Sequence, residues 1–120
     1  MIIDFESMPF DKKTEFLGGK GNFYIRSHKD NMNNIMSDRL EPGASIGYHK
    51  HETNSEIIYI LSGKGKILYE GEYFELFKGM CHYCKIGKSH SLINDSDGDL
   101  IFFAVVPEHG VTDSTTFVSP

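Results

Sequence analysis

Three histidines and one glutamate have the residue types and the spacing of a metal-binding set. His49, His51 and Glu56 follow one another closely, and His90 comes later in the chain. Imidazole nitrogens and a carboxylate oxygen form a mixed donor set that suits Mn, Fe, Co, Ni, Cu or Zn better than metals that select thiolates. Four such ligands leave one or two positions open on a six-coordinate ion, as catalysis requires. The sequence therefore predicts a site for one divalent transition metal ion.

The segments that carry these residues have the pattern of β-strands. Short runs rich in Ile, Phe, Tyr and Val are separated by clusters of Gly, Asn and Asp, which is typical of an all-β sandwich or barrel. Only one short helical turn is expected, within residues 7–16, and the tail beyond Pro107 is expected to be loose. We expect strands at 22–27, 35–41, 45–51, 56–62, 65–70, 72–77, 81–85, 90–94 and 100–106.

Strand geometry predicts how the ligands meet. Residues i and i+2 of a strand share a face, so His49 and His51 project together while Tyr48 and Lys50 point the other way. Glu56 opens the following strand. We expect it to approach the two imidazoles as a hairpin neighbour, at a spacing of about 4.8 Å across the ladder.

These residues resemble the two signature motifs of the cupin family. The motif Gly-x5-His-x-His-x3–4-Glu-x6-Gly is matched at Gly43, His49, His51, Glu56 and Gly63. The motif Gly-x5-Pro-x-Gly-x2-His-x3-Asn is matched at Gly79, Gly87, His90 and Asn94, with Lys85 in place of the usual proline. The resemblance implies a cupin-type antiparallel jelly-roll β-barrel, the double-stranded β-helix, with a 3-His-1-Glu metal site near one mouth. Lys85 is either a solvated turn residue or a contact for an anionic ligand.

The length and the composition limit the class of protein. The 120 residues predict a single cupin domain, 1–120, with the motif core at 43–94. A hydrophobic fraction of 39% fits a globular domain, and a net charge of −5 argues against nucleic acid or an anionic membrane as a partner. No apolar run approaches the roughly 20 residues of a membrane span. Acidic residues in segment 1–10 argue against a signal peptide, and the two cysteines fit a reducing compartment, so we expect a cytoplasmic protein.

Several residues near the motifs are candidate partners of the site. His82, Tyr83 and Asn94 could supply hydrogen bonds or protons, although none is convincing as a general base. Cys81 and Cys84 are three residues apart, so they face opposite sides of a strand. We interpret both as small hydrophobic residues rather than as zinc or redox ligands, because a second cysteine pair is absent.

The sequence is compatible with three functions, of which the third is the simplest. The first is a metalloenzyme of the dioxygenase, isomerase or decarboxylase type, acting on a small oxygen-bearing substrate such as an enolate, carboxylate, diketone or sugar. The alternative is a non-catalytic module that uses the metal to bind or sense a small ligand. In the third, the metal mainly adds stability. We also expect a homodimer, from the aromatic pair Phe102-Phe103 and from exposed edge strands.

Overall fold

Two antiparallel β-sheets face each other and form a jelly-roll barrel. The structure is a computed structural model, and it describes residues 1–111. The six-stranded sheet has the order β1-β2-β3-β10-β5-β8, and the four-stranded sheet has the order β4-β9-β6-β7. The strands are β1 Asp11–Thr14, β2 Asn22–Lys29, β3 Asn33–Leu40, β4 His49–Lys50, β5 Glu56–Ser62, β6 Lys64–Tyr69, β7 Glu72–Phe77, β8 Cys81–Cys84, β9 Ser89–Ile93 and β10 Leu100–Pro107.

Alternation along the strands sends one set of side chains into the barrel. On β5, Glu56, Ile58 and Ile60 are buried, while the residues between them are exposed. Phe102 of β10 is buried and stacks on Phe23 of β2, with ring centroids 5.9 Å apart. The core therefore fills the space between the sheets. Glu56 is the first of the three inward-facing residues of β5, so it lies at one end of this core.

Two tight turns have the backbone conformations that their residue types favour. At Glu41–Ala44 the Ala44 N–H donates to the Glu41 carbonyl (3.1 Å), and Gly43 has φ 78°, as the third residue of a type II turn requires. Glu70 and Gly71 both have positive φ and join β6 to β7 as a tight hairpin.

The N-terminal segment differs from the prediction. Instead of a helical turn within 7–16, the chain forms strand β1, flanked by 3-10 turns at Phe5–Ser7 and Phe16–Gly18. All four residues of β1 are exposed, so this strand has no alternating pattern from which it could be predicted. It forms because it pairs with the edge of β2, with Lys13 opposite Phe23.

The predicted strand 45–51 is mostly irregular, and only His49–Lys50 is regular ladder. Its first part bonds to the N-terminal segment, where the Gly47 N–H donates to the Phe16 carbonyl (3.0 Å). The predicted loose tail lies outside the described residues from position 112 onward. Among residues 1–111, no helix is long and apolar enough to cross a membrane.

Candidate metal centre

The four predicted ligands converge at one point inside the barrel. Glu56 Oε1 lies 3.0 Å from His90 Nε2 and 3.2 Å from His51 Nε2, and the two Nε2 atoms are 3.0 Å apart. The His49 ring completes the group, with its centroid 4.7 Å from that of His90 and 5.0 Å from that of His51. One donor atom from each of the four residues lies within 4.8 Å of the other three.

The ligands come from both sheets. His49 on β4 is directly opposite His90 on β9 in the four-stranded sheet. Glu56 opens β5, which pairs with β8 and β10 in the six-stranded sheet. The prediction that Glu56 would be a hairpin neighbour of the histidines was therefore wrong. Glu56 reaches the imidazoles across the barrel interior, because the connection after His51 crosses from one sheet to the other.

A chain of hydrogen bonds orients the His51 imidazole. The half-buried Glu108 carboxylate accepts a hydrogen bond from Asn54 Nδ2 (2.8 Å), so the amide oxygen of Asn54 faces His51 Nδ1. An oxygen at that place requires the His51 proton on Nδ1, which leaves a lone pair on Nε2. Sequence reasoning missed Asn54 and Glu108, because a loop amide and a distant carboxylate carry no signal in the spacing.

The other two imidazoles have comparable acceptors. His49 Nδ1 donates to the Gly47 carbonyl (2.7 Å). His90 Nδ1 lies 3.0 Å from Nε2 of the buried His82, which can accept its proton. Each imidazole thus has an acceptor at Nδ1 and can present an Nε2 lone pair, the orientation of a metal-bound histidine. Of the candidate partners predicted from sequence, His82 is the one that lies beside the cluster.

The electrostatics of the cluster favour bound cations. Burial raises the pKa of Glu56. Without a metal, the Nε2 atoms of His51 and His90 can instead carry protons and donate hydrogen bonds to Glu56, and these outweigh burial and lower its pKa to about 2. Burial lowers the pKa of His49, and the neighbouring imidazoles lower it further. Burial also opposes protonation of His51, yet its bonds to Glu56 and Asn54 raise its pKa above the ordinary value. An anionic carboxylate inside a ring of imidazoles is a centre that a positive ion would stabilise.

The spacing of the donor atoms suits a six-coordinate ion. Metal–ligand bonds of about 2.1 Å at right angles place neighbouring ligand atoms about 3.0 Å apart. The separations among His51 Nε2, His90 Nε2 and Glu56 Oε1 are 3.0–3.2 Å. These residues therefore fit the divalent transition metal that their chemistry predicts.

Three residues of the cluster, His49, His51 and Glu56, line a cavity of about 790 Å³, and His90 lies behind them in the buried interior. Three lysines (Lys13, Lys29 and Lys50) and three acids (Asp11, Glu52 and Glu56) line it, so their formal charges cancel. Asp11 pairs with Lys13 at 3.1 Å. The rest of the wall is largely apolar and is formed mainly by the N-terminal segment, β2 and β3. A ligand of the metal would therefore have space beside it.

Other residues singled out in the sequence lie elsewhere. Tyr83 is exposed on the opposite face of β8 from His82. Asn94 is fully buried, but its amide donates to the carbonyls of Leu40 (2.9 Å) and Gly98 (2.8 Å), which secures the loop before β10. Lys85 is exposed in the turn after β8 and does not line the cavity.

The cysteines face opposite sides of β8, as predicted. Cys81 is exposed, whereas Cys84 is buried. Burial, with the charges of Glu56 and Glu70, raises the pKa of the Cys84 thiol to about 12. Cys84 also belongs to a second group of potential ligands with His82 and His90. A thiol that stays protonated there fits a small packing residue better than a free thiolate.

An antiparallel barrel with three histidines and a glutamate converging inside it places the chain among jelly-roll proteins with a candidate His/Glu metal site. The family model described as "Cupin domain" matches residues 37–106. The chain belongs to the cupin family.

Relatives agree with this assignment. A protein of Thermotoga maritima named oxalate-binding protein is 32% identical over 112 residues, which cover 88% of this chain and 93% of the relative. A crystal structure of a protein described as a predicted oxalate decarboxylase, also from Thermotoga maritima, has a TM-score of 0.85 and 30% identity, covering 90% of this chain and 99% of that one. The cupin domain of Schizosaccharomyces pombe Cnp3 shares the fold alone, with a TM-score of 0.73, 13% identity and coverage of 88% and 67%.

Proposed function

We propose that this protein is a metalloenzyme that acts on a small oxygen-bearing anion, in a reaction of the dioxygenase, isomerase or decarboxylase type. His49, His51, Glu56 and His90 would hold one divalent transition metal ion. The observation that carries the proposal is the convergence of their donor atoms at a cavity that can admit a substrate and that His49, His51 and Glu56 line. A bound ion would polarise the oxygen atoms of the substrate as a Lewis acid.

The charges around the cavity favour an anionic substrate. The lysines and acids of the lining cancel, so a divalent ion would leave the site with a net positive charge. Lys29 and Lys50 line the cavity and would attract a carboxylate or an enolate towards it. The relative named oxalate-binding protein supports the same class of ligand, because oxalate is a small dicarboxylate.

Glu52 is the residue best placed to move a proton. It lies in the connection between His51 and Glu56, lines the cavity and is exposed. The other two acids of the lining already have partners: Asp11 pairs with Lys13, and Glu56 contacts the imidazoles. A carboxylate next to the metal ligands can accept a proton from the substrate or return one to the product.

The second candidate function is metal-dependent binding or sensing of the same kind of ligand without turnover. The burial of the cluster favours it, because the buried acids and bases beside the cavity are themselves ligands or orient ligands, as His82 does for His90. Among the described residues that line the cavity, the exposed Glu52 is then the acid whose role separates the two functions. The name of the oxalate-binding relative agrees with this alternative.

An aerobic screen of stripped protein reloaded with Mn, Fe, Co, Ni, Cu or Zn tests the proposal on oxalate, enolic and sugar-like substrates. We expect turnover with at least one metal, and its loss in His51→Ala. Glu52→Gln is expected to keep the metal and the bound ligand but to lower turnover about 100-fold or more, the usual contribution of a positioned acid or base. Lys64→Gln, on the outside of β6, is the matched control.

The outcomes of this screen separate the candidates. Metal-dependent ligand binding without turnover in any reloaded form would assign the binding function instead. Protein from its native source that contains no transition metal and does not take one up would refute both functions.

We propose that the active form is a cytoplasmic homodimer of single-domain chains. Phe102 does not support the dimer, because it lies in the core on a central strand. The support comes from the outer face of β5, where Ile57, Tyr59 and Leu61 are 40%, 42% and 46% exposed. Sedimentation equilibrium at micromolar concentration should give twice the chain mass of 13.6 kDa, and a monomer mass would reject the dimer.

A further inference from the structure

The cavity beside the metal centre is larger and more apolar than a dicarboxylate such as oxalate needs. Its volume of about 790 Å³ falls in the range that buries drug-sized ligands. Its apolar wall includes Phe16, Leu17, Ile25, Met36, Ile46 and Val106. Oxalate has no apolar part that could cover such a wall, so a ligand matched to the cavity carries an apolar tail.

Leu17 is held in an unusual conformation at this wall. Its φ of 55° and ψ of 31° lie in the left-handed region, which a leucine rarely adopts. Its side chain is 51% exposed and lines the cavity. Backbone strain in a half-exposed apolar residue concentrates at ligand sites, because the rest of the structure must enforce it. Leu17 is therefore a contact that the fold presents to the cavity rather than a core residue.

Gly47 ties this apolar wall to the metal ligands. Its N–H donates to the Phe16 carbonyl (3.0 Å), and its carbonyl accepts the His49 Nδ1 proton (2.7 Å). A Cβ at Gly47 would lie only 1.9 Å from the Leu17 carbonyl oxygen, so the two segments are in direct backbone contact. The position of the wall relative to His49 is thus fixed before any ligand arrives, which fixes the distance between a metal-bound head group and its tail.

We propose that the ligand of this site is a 2-oxo acid with a branched or aromatic apolar tail. This inference rests on the proposed function and names its ligand class. One carboxylate oxygen and the keto oxygen of such an acid match the two positions that four single-atom protein ligands would leave open on a six-coordinate ion. Its tail then covers the wall formed by Leu17, Met36 and Val106.

Calorimetric titration of the Mn²⁺-loaded full chain tests this class with four small acids. These are oxalate, pyruvate, 4-methyl-2-oxopentanoate and 4-methylpentanoate, of which the last has the tail but lacks the keto group. We expect 4-methyl-2-oxopentanoate to bind at least about tenfold more tightly than pyruvate, because its additional isopropyl group becomes buried. We also expect it to bind more tightly than oxalate and 4-methylpentanoate, and to lose measurable binding when the metal is removed.

Two glycine variants locate the tail. Leu17→Gly relieves the left-handed backbone and removes the apolar contact, so it should lower affinity for 4-methyl-2-oxopentanoate severalfold and leave that for oxalate unchanged. Glu15→Gly is the matched control, since Glu15 also has a positive φ of 52° but does not line the cavity. It should leave both affinities unchanged.

The results distinguish the two proposals. Equal affinity for pyruvate and 4-methyl-2-oxopentanoate would overturn the proposed ligand class, and so would equal effects of the two glycine variants on the affinity for 4-methyl-2-oxopentanoate. If oxalate still bound to the Mn²⁺-loaded protein, the proposed function would stand. Failure of every acid to bind the Mn²⁺-loaded protein would overturn the proposed function as well.

Discussion

Replacing His90 by alanine should lower the affinity for a divalent transition metal by more than about a hundredfold. His90 is buried, and its Nε2 lies 3.0 Å from both Glu56 Oε1 and His51 Nε2, so it occupies the centre of the cluster. Loss of a residue that only orients a ligand typically costs 10- to 100-fold in metal affinity, and loss of the ligand itself should cost more. Competition with a chromogenic chelator measures this change.

Two further variants define the size of the effect. His82→Leu removes only the acceptor for His90 Nδ1, so it should weaken metal binding about 10- to 100-fold. His28→Ala is the control, because His28 alternates on β2 with Ser27 and Lys29, which line the cavity, and thus faces away from it. Metal affinity retained in His90→Ala would show that the ion, if it binds, is held elsewhere.

The second large effect concerns Asp38, which is a buried acid in the barrel core. Asp38 is 1% exposed, and neither of its carboxylate oxygens has a hydrogen-bond partner of normal geometry among the described residues. On β3 it is opposite Ile25 and Phe102 of the neighbouring strands. Burial, and then the charge of Glu56, raise its pKa to about 8, and the nearby Arg26 offsets only part of this rise.

This raised pKa predicts that Asp38 destabilises the protein increasingly as pH rises. The folded state holds the proton more tightly than the unfolded state, so the loss of stability begins near the unfolded pKa of about 4 and is complete above about 8. At pH 7 the loss is on the order of 4 kcal/mol. Asp38→Asn, which keeps the size and removes the charge, should therefore raise the free energy of unfolding by several kcal/mol at pH 7 and by much less at pH 5.

Urea unfolding of the metal-free protein at pH 5, 6, 7 and 8 measures this difference. The quantity to compare is the wild type minus Asp38→Asn, because His51 and Glu56 add their own pH dependence to both proteins. Asp97→Asn, in the exposed loop before β10, provides a matched control with no expected effect. Parallel pH profiles for wild type and Asp38→Asn would contradict the prediction.

The spacing of the motifs predicted the four converging residues, because strand alternation fixes which side chains share a face. It could not predict how Glu56 arrives. Alternation places Glu56 inside the barrel, but the sheet to which β5 belongs depends on long-range pairing with β8 and β10. The same limit applies to β1, whose exposed residues carry no pattern and whose strand exists only through its pairing with β2.

The residues that orient the ligands were harder to predict than the ligands. His82 was one of three candidate partners named from the sequence, and strand alternation placed it on the same face as Cys84, but the burial of that face became visible only in the fold. Asn54 and Glu108 meet only when the loop before β5 and the end of β10 come together in the fold. Asp38 lies in the alternating series of Met36 and Leu40, so its inward direction follows from the pattern, but its lack of a partner does not.

The division of the four residues between the two sheets has a mechanical consequence. A bound ion would link Glu56 of the six-stranded sheet to His49 and His90 of the four-stranded sheet. It would therefore act as a cross-link between the two sheets inside the barrel. Separation of the layers would then require release of the ion, so the concentration of free metal would set how readily the barrel opens. The coupling would be reciprocal. A bound ion would stabilise the packed arrangement of the two sheets, and the distance between the sheets would set the affinity for the ion.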